Sequence, residues 1–151
     1  MCDILNIYKG RLELSIKRNY MNTKAISWIL RIGVAGEFFG HGMFALQGKE
    51  GWFKYFEAFG FTNPETMKML LTLVGVMDML MVVLVLFKPI RIALLWMAFW
   101  GLWTALVRWP FGPDPVWDFV ERWANWAGPL ALLFMAGGLK AKNWFKTYGQ
   151  N

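Results

Sequence analysis

Residues 31–46 read RIGVAGEFFGHGMFAL, and the interpretation of the whole fold depends on this stretch. It is apolar enough for a membrane-spanning helix, yet it contains Arg31, Glu37 and His41, the only histidine of the chain. An ionisable side chain in hydrocarbon costs about 2.5 kcal/mol or more unless it faces the protein interior and finds a partner. The stretch therefore predicts polar partners on other helices, or else the membrane interpretation is wrong.

The composition of the whole chain favours the membrane interpretation. Of its 151 residues, 57% are hydrophobic and 17% are charged. Soluble domains average about 45–50% apolar and about 25% charged residues. The length suits a single domain.

The net charge of +6 is sorted along the chain and does not form a nucleic-acid-binding stripe. Basic residues precede the first apolar segment, occupy the short gap at Lys88 and Arg91, and recur in the C-terminal tail. Such residues concentrate on the cytoplasmic side of membrane proteins. We therefore expect both termini and the 88–91 turn on that side, and we predict no nucleic-acid partner.

Cysteine and histidine are too scarce for several kinds of redox and metal site. Cys2 is the only cysteine, so an intramolecular disulfide and a Cys-x-x-Cys pair are both excluded. With His41 as the only histidine, a bis-His haem is excluded, and a zinc or di-iron site lacks ligands. We predict no metal site. Any reaction must then use carboxylate, histidine and arginine side chains or a cofactor from a partner.

Four apolar segments are each about long enough to cross a bilayer as a helix, which takes about 20 residues. A short gap at Lys88-Pro89 separates the second from the third, and a proline-rich loop precedes the fourth. Loop 47–68 has aromatic residues at helical intervals, which indicates a short helix in the headgroup region or an irregular aromatic anchor. The four segments are 25–46, 69–87, 90–107 and 116–139.

These features predict an all-α fold, an integral membrane four-helix bundle with N-in/C-in topology and a short interfacial helix between the first two long helices. The membrane domain is expected to cover residues 25–139. Residues 1–24 form a cytoplasmic or interfacial segment, either an extension before a start at Met21 or an amphipathic surface helix. Residues 140–151 form a basic cytoplasmic tail.

Polar side chains from all four predicted helices fall in the outer half of the bundle. At a rise of about 1.5 Å per residue, five of them lie about 7 to 13 Å below the outer ends of their segments, and one ends the third segment. We therefore predict a polar, ligand-binding pocket near the outer surface. Its six candidate residues are Glu37, His41, Asp78, Arg108, Glu121 and Asn125.

The buried charges need partners, and the sequence offers several. Glu37 and His41 are four residues apart and share a helix face. Asp78 requires a cation or a proton, with Arg108 or Arg122 as the expected cation. The same residues would suit a ligand pocket, a structural ion-pair network or an ion pathway. The inner half lacks a relay of ionisable side chains, which argues against the pathway.

Two expectations concern packing. Gly36 and Gly40 form a small-xxx-small pair in which helices typically approach closely in lipid. Tryptophans in and just after the third segment are expected to face lipid or the interface and not a ligand. These are Trp96, Trp100, Trp103 and Trp109.

The chain resembles the DoxX-like family of small bacterial four-helix membrane proteins. Residues 31–33 (RIG) and the following glycines are similar to the family's first helix, and residues 75–78 (GVMD) are similar to its second. The resemblance covers residues from about 25 to 138. It implies a multi-pass protein of the bacterial inner membrane that is associated with quinone-linked redox chemistry.

The sequence is compatible with two functions. In the first, the pocket binds a quinone or similar small ligand, and the chain is a membrane subunit of a quinone-linked oxidoreductase. His41 would hydrogen-bond a ligand carbonyl, and Glu37 or Asp78 would handle its proton. Arg108 and Glu121 would shape the entrance, while a partner redox subunit supplies electrons.

In the second function, the chain is a non-catalytic membrane subunit or assembly factor whose buried charges are structural. Both functions allow an oligomer. A small-solute transporter is disfavoured because the sequence has neither an inverted repeat nor a pair of broken helices.

Overall fold

The computed structural model describes residues 2–139 and residue 145, with the side chains of residues 2–10, 12 and 16–20 left undescribed. Its regular elements within that part are all helices, which confirms the all-α prediction. A 3₁₀ turn at Glu50–Trp52 precedes the second helix. The α-helices are α1 (Cys2–Leu46), α2 (Phe53–Glu57), α3 (Pro64–Phe87), α4 (Arg91–Leu106), α5 (Val116–Val120) and α6 (Trp123–Met135).

The first helix is longer than the apolar segment that predicted it. α1 runs without interruption for 45 residues, so residues 25–46 form its C-terminal half. The first proline of the chain is Pro64, and nothing in the preceding sequence forces the helix to break. The N-terminal segment continues the same helix within the described residues. Except for residue 145, the predicted basic tail lies outside the described part of the chain.

Two stretches are long and apolar enough to cross a membrane by length and composition. They are Met21–Leu46, within α1, and Pro64–Phe87, which is α3, with mean hydropathies of 1.2 and 2.7. Arg91–Leu106, which is α4, is apolar but shorter. The helix predicted between the first two long helices is present as α2.

Local sequence signals set both ends of α3. The Asn63 side chain accepts hydrogen bonds from the backbone N–H groups of Glu65 at 2.9 Å and Thr66 at 3.3 Å. Pro64 occupies the first helical position, where its missing N–H is not needed. The helix ends at Phe87 because Pro89 disfavours helical backbone at Lys88.

The fourth predicted segment is divided in the structure. A turn at Glu121 and Arg122 separates α5 from α6. In this turn the backbone N–H of Arg122 donates to the carbonyl oxygen of Phe119, three residues earlier, and not to the residue four earlier as in an α-helix. α6 then ends at Met135 because Gly137 and Gly138 adopt left-handed backbone, with φ of 102° and 63°. The continuous helix predicted over 116–139 is therefore replaced by two shorter helices.

The four longest helices contact one another in a ring. α1 packs on α3 and α6, and α4 packs on α6 and less extensively on α3. Their main hydrophobic core lies toward the 88–91 turn, which leaves the opposite end of the ring for polar side chains. The core residues are Val34, Ala35, Phe38, Met81, Val85, Ala93, Leu94, Met97, Leu132 and Leu133.

Glycines allow two pairs of helices to approach closely. A Cβ atom at Gly101 would lie 2.6 Å from the backbone oxygen of Asn125, so α4 and α6 touch there through their backbones. A Cβ atom at Gly75 would lie 2.9 Å from the backbone oxygen of Gly42, where α3 crosses α1. These two contacts set the separation of the helices around the site described below.

The predicted close contact at Gly36 and Gly40 is wrong. A Cβ atom at either position would have no described atom within 4 Å, leaving aside its own helix and chain neighbours. Residue spacing identifies a helix face but not the neighbour that covers it. The α1–α3 crossing instead uses Gly42, which lies on another side of the helix.

Substituting Gly101 tests the α4–α6 contact. We expect Gly101→Ala to lower the free energy of unfolding by about 1–3 kcal/mol, because the added methyl group meets backbone atoms of Asn125 that cannot rotate away. Thermal unfolding of the purified chain in detergent measures the change. Gly36→Ala is the matched control and should leave the melting temperature unchanged or slightly higher. Equal melting temperatures for the two variants would contradict this packing.

Candidate ligand-binding site

The α1–α3 crossing holds a buried pair of ionisable side chains. Nδ1 of His41 lies 2.7 Å from Oδ2 of Asp78, and the Asp78 side chain has no exposed surface. The position where Gly42 would carry a Cβ is only 2.9 Å from Cβ of Asp78. The missing side chain of that glycine therefore lets the carboxylate reach the imidazole.

The partner of Asp78 differs from the predicted one. The sequence suggested Arg108 or Arg122, but the hydrogen bond of Asp78 goes to His41. Depth along a helix does not fix which helix faces which, so it could not identify the partner. Arg31 lies away from the pair, with its guanidinium carbon 5.1 Å from the ring centroid of Trp28.

A small cavity, which we call the polar chamber, lies beside the pair. Its volume of about 10 Å³ is close to the space that one water molecule needs. Oδ1 of Asp78 and Nε1 of Trp100 are buried without a hydrogen-bond partner among the described residues. The chamber is lined by Glu37, Phe38, His41, Asp78, Trp100, Gly101, Thr104 and Asn125.

Four of the six predicted residues therefore meet around one chamber, namely Glu37, His41, Asp78 and Asn125. Glu121 does not join them. Its side chain is 65% exposed, in the turn between α5 and α6, and its carboxylate lies 4.0 Å from Nε of Arg122. Because the helix is interrupted there, the four-residue spacing between Glu121 and Asn125 does not place them on one face.

A larger cavity of about 280 Å³, the apolar cavity, adjoins the polar chamber. His41, Trp100 and Thr104 line both spaces. The other aromatic side chains of its wall come from the region between α1 and α3 and from α4. They are Trp52, Tyr55, Phe56, Phe59, Phe61 and Trp103.

The tryptophan prediction is wrong for two of its four residues. Trp100 and Trp103 line the apolar cavity, whereas Trp96 and Trp109 are exposed, at 38% and 41%. All four lie on or just beyond a helix that is apolar on every side, so composition does not distinguish its inner and outer faces. Contacts with other elements make that distinction.

The His41 imidazole is fixed from two directions. Its ring stacks on Trp52, with centroids 4.6 Å apart and planes 26° from parallel. The 3₁₀ turn at the start of the α1–α3 connection places this indole over the end of α1. Since Nδ1 is bonded to Asp78, Nε2 is the nitrogen left for a molecule in the apolar cavity.

A second polar group lies at the other end of the apolar cavity, and we call it the Arg108 cluster: Lys54, Tyr55, Arg108 and Asp114. The Asp114 carboxylate accepts hydrogen bonds from Lys54 and from the Tyr55 hydroxyl, each at 2.5 Å. Nη1 of Arg108 donates to the Tyr55 hydroxyl at 2.7 Å and lies 3.4 Å from Asp114. The cluster joins α2 to the loop after α4.

The sequence prediction included Arg108 but missed the other three members of this cluster. Tyr55 belongs to an aromatic run with helical spacing, which was a usable signal. Asp114 stands between two prolines in a loop without periodicity, so no sequence pattern indicates where its side chain lies.

The protonation states of the cluster follow from its contacts. Burial alone would raise the pKa of Asp114, but hydrogen bonds from Lys54 and Tyr55, with the charges of Lys54 and Arg108, lower it below its usual value. Burial and the bond to Asp114 raise the pKa of Tyr55. At neutral pH the cluster therefore contains an ionised carboxylate and a neutral phenol.

The chemistry of the site is proton exchange and hydrogen bonding around an aromatic space. The His41–Asp78 pair can hold or release a proton at the imidazole, and Arg108 can bind an electron-rich oxygen. Within the described residues, no three His, Cys, Asp or Glu side chains are grouped so that they could hold a metal ion.

Comparison of the chain with protein-family models, with curated proteins and with solved structures gives no match. The function must accordingly be argued from the site itself.

A double-mutant cycle tests the buried pair. His41→Ala should lower the free energy of unfolding by about 3 kcal/mol, because it leaves Asp78 buried without its partner. Asp78→Asn should lower the free energy of unfolding by a smaller amount, since an amide carries no charge. The double variant should lose less than the sum of the two single losses in thermal unfolding.

The control cycle combines Asp78→Asn with Arg108→Gln, which share no contact. The changes that these two substitutions make in the free energy of unfolding should add to within about 0.5 kcal/mol. Additive losses for His41 and Asp78, or coupling between Asp78 and Arg108, would show that the pairing described here is wrong.

Proposed function

We propose that this chain is a DoxX-like integral membrane protein whose apolar cavity binds a small ring-shaped redox ligand such as a quinone head group. The observation that carries the proposal is the His41–Asp78 pair, which is buried at one end of an aromatic cavity of about 280 Å³. In this role the chain is the ligand-binding membrane subunit of a redox complex, and a partner subunit supplies electrons.

The membrane part of the proposal rests on the outer surfaces of the helices. Leu73, Val76, Leu80 and Val83 form an exposed stripe along α3, each with more than half of its surface accessible. Large contiguous apolar patches are rare on soluble proteins, so a lipid environment explains the stripe. We place α1, α3, α4 and the α5–α6 pair across the bacterial inner membrane as a multi-pass bundle, with both termini in the cytoplasm.

Labelling of single cysteines tests this topology. In a Cys2→Ser background, Glu65→Cys and Lys88→Cys place a thiol at opposite ends of α3. A membrane-impermeant maleimide should label the cysteine at 65 in intact spheroplasts, and the cysteine at 88 only after the membrane is opened. The positive charges near the 88–91 turn are the reason for this orientation. Labelling of both positions from one side would contradict a crossing by α3.

The cavity fits a small ring better than a larger ligand. Pockets for drug-sized molecules measure about 300–1,000 Å³, so a space of about 280 Å³ suits one or two fused rings. Indole and phenyl side chains supply surfaces for stacking. His41 donates a hydrogen bond to a ring carbonyl through Nε2–H, while the contact between Nδ1 and Asp78 holds the second proton of the pair and keeps the imidazole in place.

Direct binding tests the ligand proposal. The full chain in detergent should bind 2,3-dimethyl-1,4-naphthoquinone saturably, as measured by isothermal titration calorimetry. His41→Asn should weaken binding about tenfold, because an amide cannot reproduce the imidazole hydrogen bond. Glu121→Gln is the control, since its side chain lies outside the cavity, and it should bind as the wild type does. Unchanged binding in His41→Asn, or no binding by the wild type, would refute the proposal.

The alternative is a non-catalytic subunit whose buried charges only hold helices together. The observation in its favour is that His41 and Asp78 already bond to each other, with no ligand needed to satisfy that contact. The same titration separates the two functions. A structural role predicts lower stability for the His41 variant without any saturable binding by the wild type.

A further inference from the structure

The polar groups of the apolar cavity lie at two separate places along α4. Trp100 lies beside the His41–Asp78 pair, because all three line the polar chamber. Arg108 lines the same apolar cavity eight residues later, which corresponds to about 12 Å along the helix axis. A ligand in this space therefore meets hydrogen-bonding groups at both ends and aromatic rings between them.

The two ends differ in charge. The His41–Asp78 pair carries no net charge while it shares one proton, whether that proton lies on the imidazole or on the carboxylate. A further acidic side chain, Glu37, lines the chamber beside the pair. The Arg108 cluster contains two cations, Lys54 and Arg108, and only one carboxylate, Asp114. That carboxylate is 2.5 Å from Lys54 but 3.4 Å from Arg108, so it neutralises the lysine more closely than the arginine.

The guanidinium of Arg108 retains donors for a further partner. Both of its hydrogen bonds use Nη1, and Nε and Nη2 make none to the described residues. Its side chain is only 14% exposed, so bulk water screens its charge weakly. A planar guanidinium in such a place suits an oxygen that carries negative charge.

We propose that the cavity selects a monoanionic ring compound, with an ionised oxygen at Arg108 and a neutral carbonyl at His41. This inference rests on the proposed function and narrows it from small ring ligands in general to acidic ones, such as hydroxylated quinones. A quinone with an enolic hydroxyl has both oxygens on a rigid ring that matches the aromatic walls.

A matched pair of ligands tests the inference. 2-Hydroxy-1,4-naphthoquinone is an anion at neutral pH, whereas 2-methoxy-1,4-naphthoquinone has the same ring and is neutral. The full chain in detergent, with Cys2→Ser to prevent addition to a thiol, should bind the anion at least about tenfold more tightly in calorimetric titrations.

Variants assign the preference to Arg108. Arg108→Gln should abolish the preference for the anion, and Arg108→Lys should retain part of it. Lys49→Gln is the control, because it also removes one positive charge near the cavity wall, where Lys49 lies over the ring of Trp52. It should keep the wild-type preference.

The outcomes separate this inference from the function on which it rests. Equal affinities of the wild type for the two naphthoquinones would overturn the selection of an anion and leave the ligand pocket standing. A preference that survives in Arg108→Gln would overturn the placement of the ionised oxygen at Arg108. Binding of neither compound would refute the proposed function as well. The affinities of the wild type for the two naphthoquinones show whether the cavity selects an anion even if the Arg108 variants do not fold.

Discussion

The hydrogen bond between His41 and Asp78 is the interaction on which the arrangement of this site depends. A carboxylate without any exposed surface needs a partner, and here the partner is the only histidine of the chain. The bond forms because Gly42 and Gly75 let α1 and α3 approach until backbone and side chain nearly touch. Packing and electrostatics thus reinforce each other, since the glycines have no side chain to obstruct the pair.

The polar chamber and the apolar cavity differ in size and in the chemistry of their walls. Asp78 and Trp100 line the polar chamber, and their Oδ1 and Nε1 atoms find no hydrogen-bond partner within the described part of the chain. The volume of the chamber suits about one water molecule. The apolar cavity is lined mainly by rings and aliphatic groups and has room for an organic ligand. His41 belongs to both spaces, so a proton held at the buried pair is within reach of whatever occupies the cavity.

The short elements outside the four long helices complete the cavity. The 3₁₀ turn places Trp52 against His41, and α2 contributes Tyr55, which bonds to the loop after α4. The contact between Tyr55 and Asp114 links parts of the chain that are 59 residues apart. One wall of the cavity is thus made by a connection and not by one of the four longest helices.

Several parts of this description were predictable from the chain itself. Apolar length predicted α1, α3 and α4, and polar residues at similar depths indicated a common site, where Glu37, His41, Asp78 and Asn125 do meet. Glu121 was misassigned because the fourth segment is broken next to it, and a hydrophobic run does not reveal a turn made by i→i−3 bonds. The pairing of Asp78 was misassigned to Arg108 or Arg122 because the sequence does not reveal which helix faces α3 at Asp78.

The amino-acid sequence by itself determined the apolar stretches within α1, α3 and α4, the end of α3 before Pro89, and which residues carry the buried charge, because these follow from local backbone geometry and side-chain chemistry. Only the tertiary structure decided that Gly42 and not Gly36 is the contact glycine, and that Trp100 and Trp103 face inward. It also decided that Asp114 closes the Arg108 cluster. The physical reason is that periodicity defines the faces of one helix, whereas the rotation of each helix against its neighbours depends on all their surfaces together.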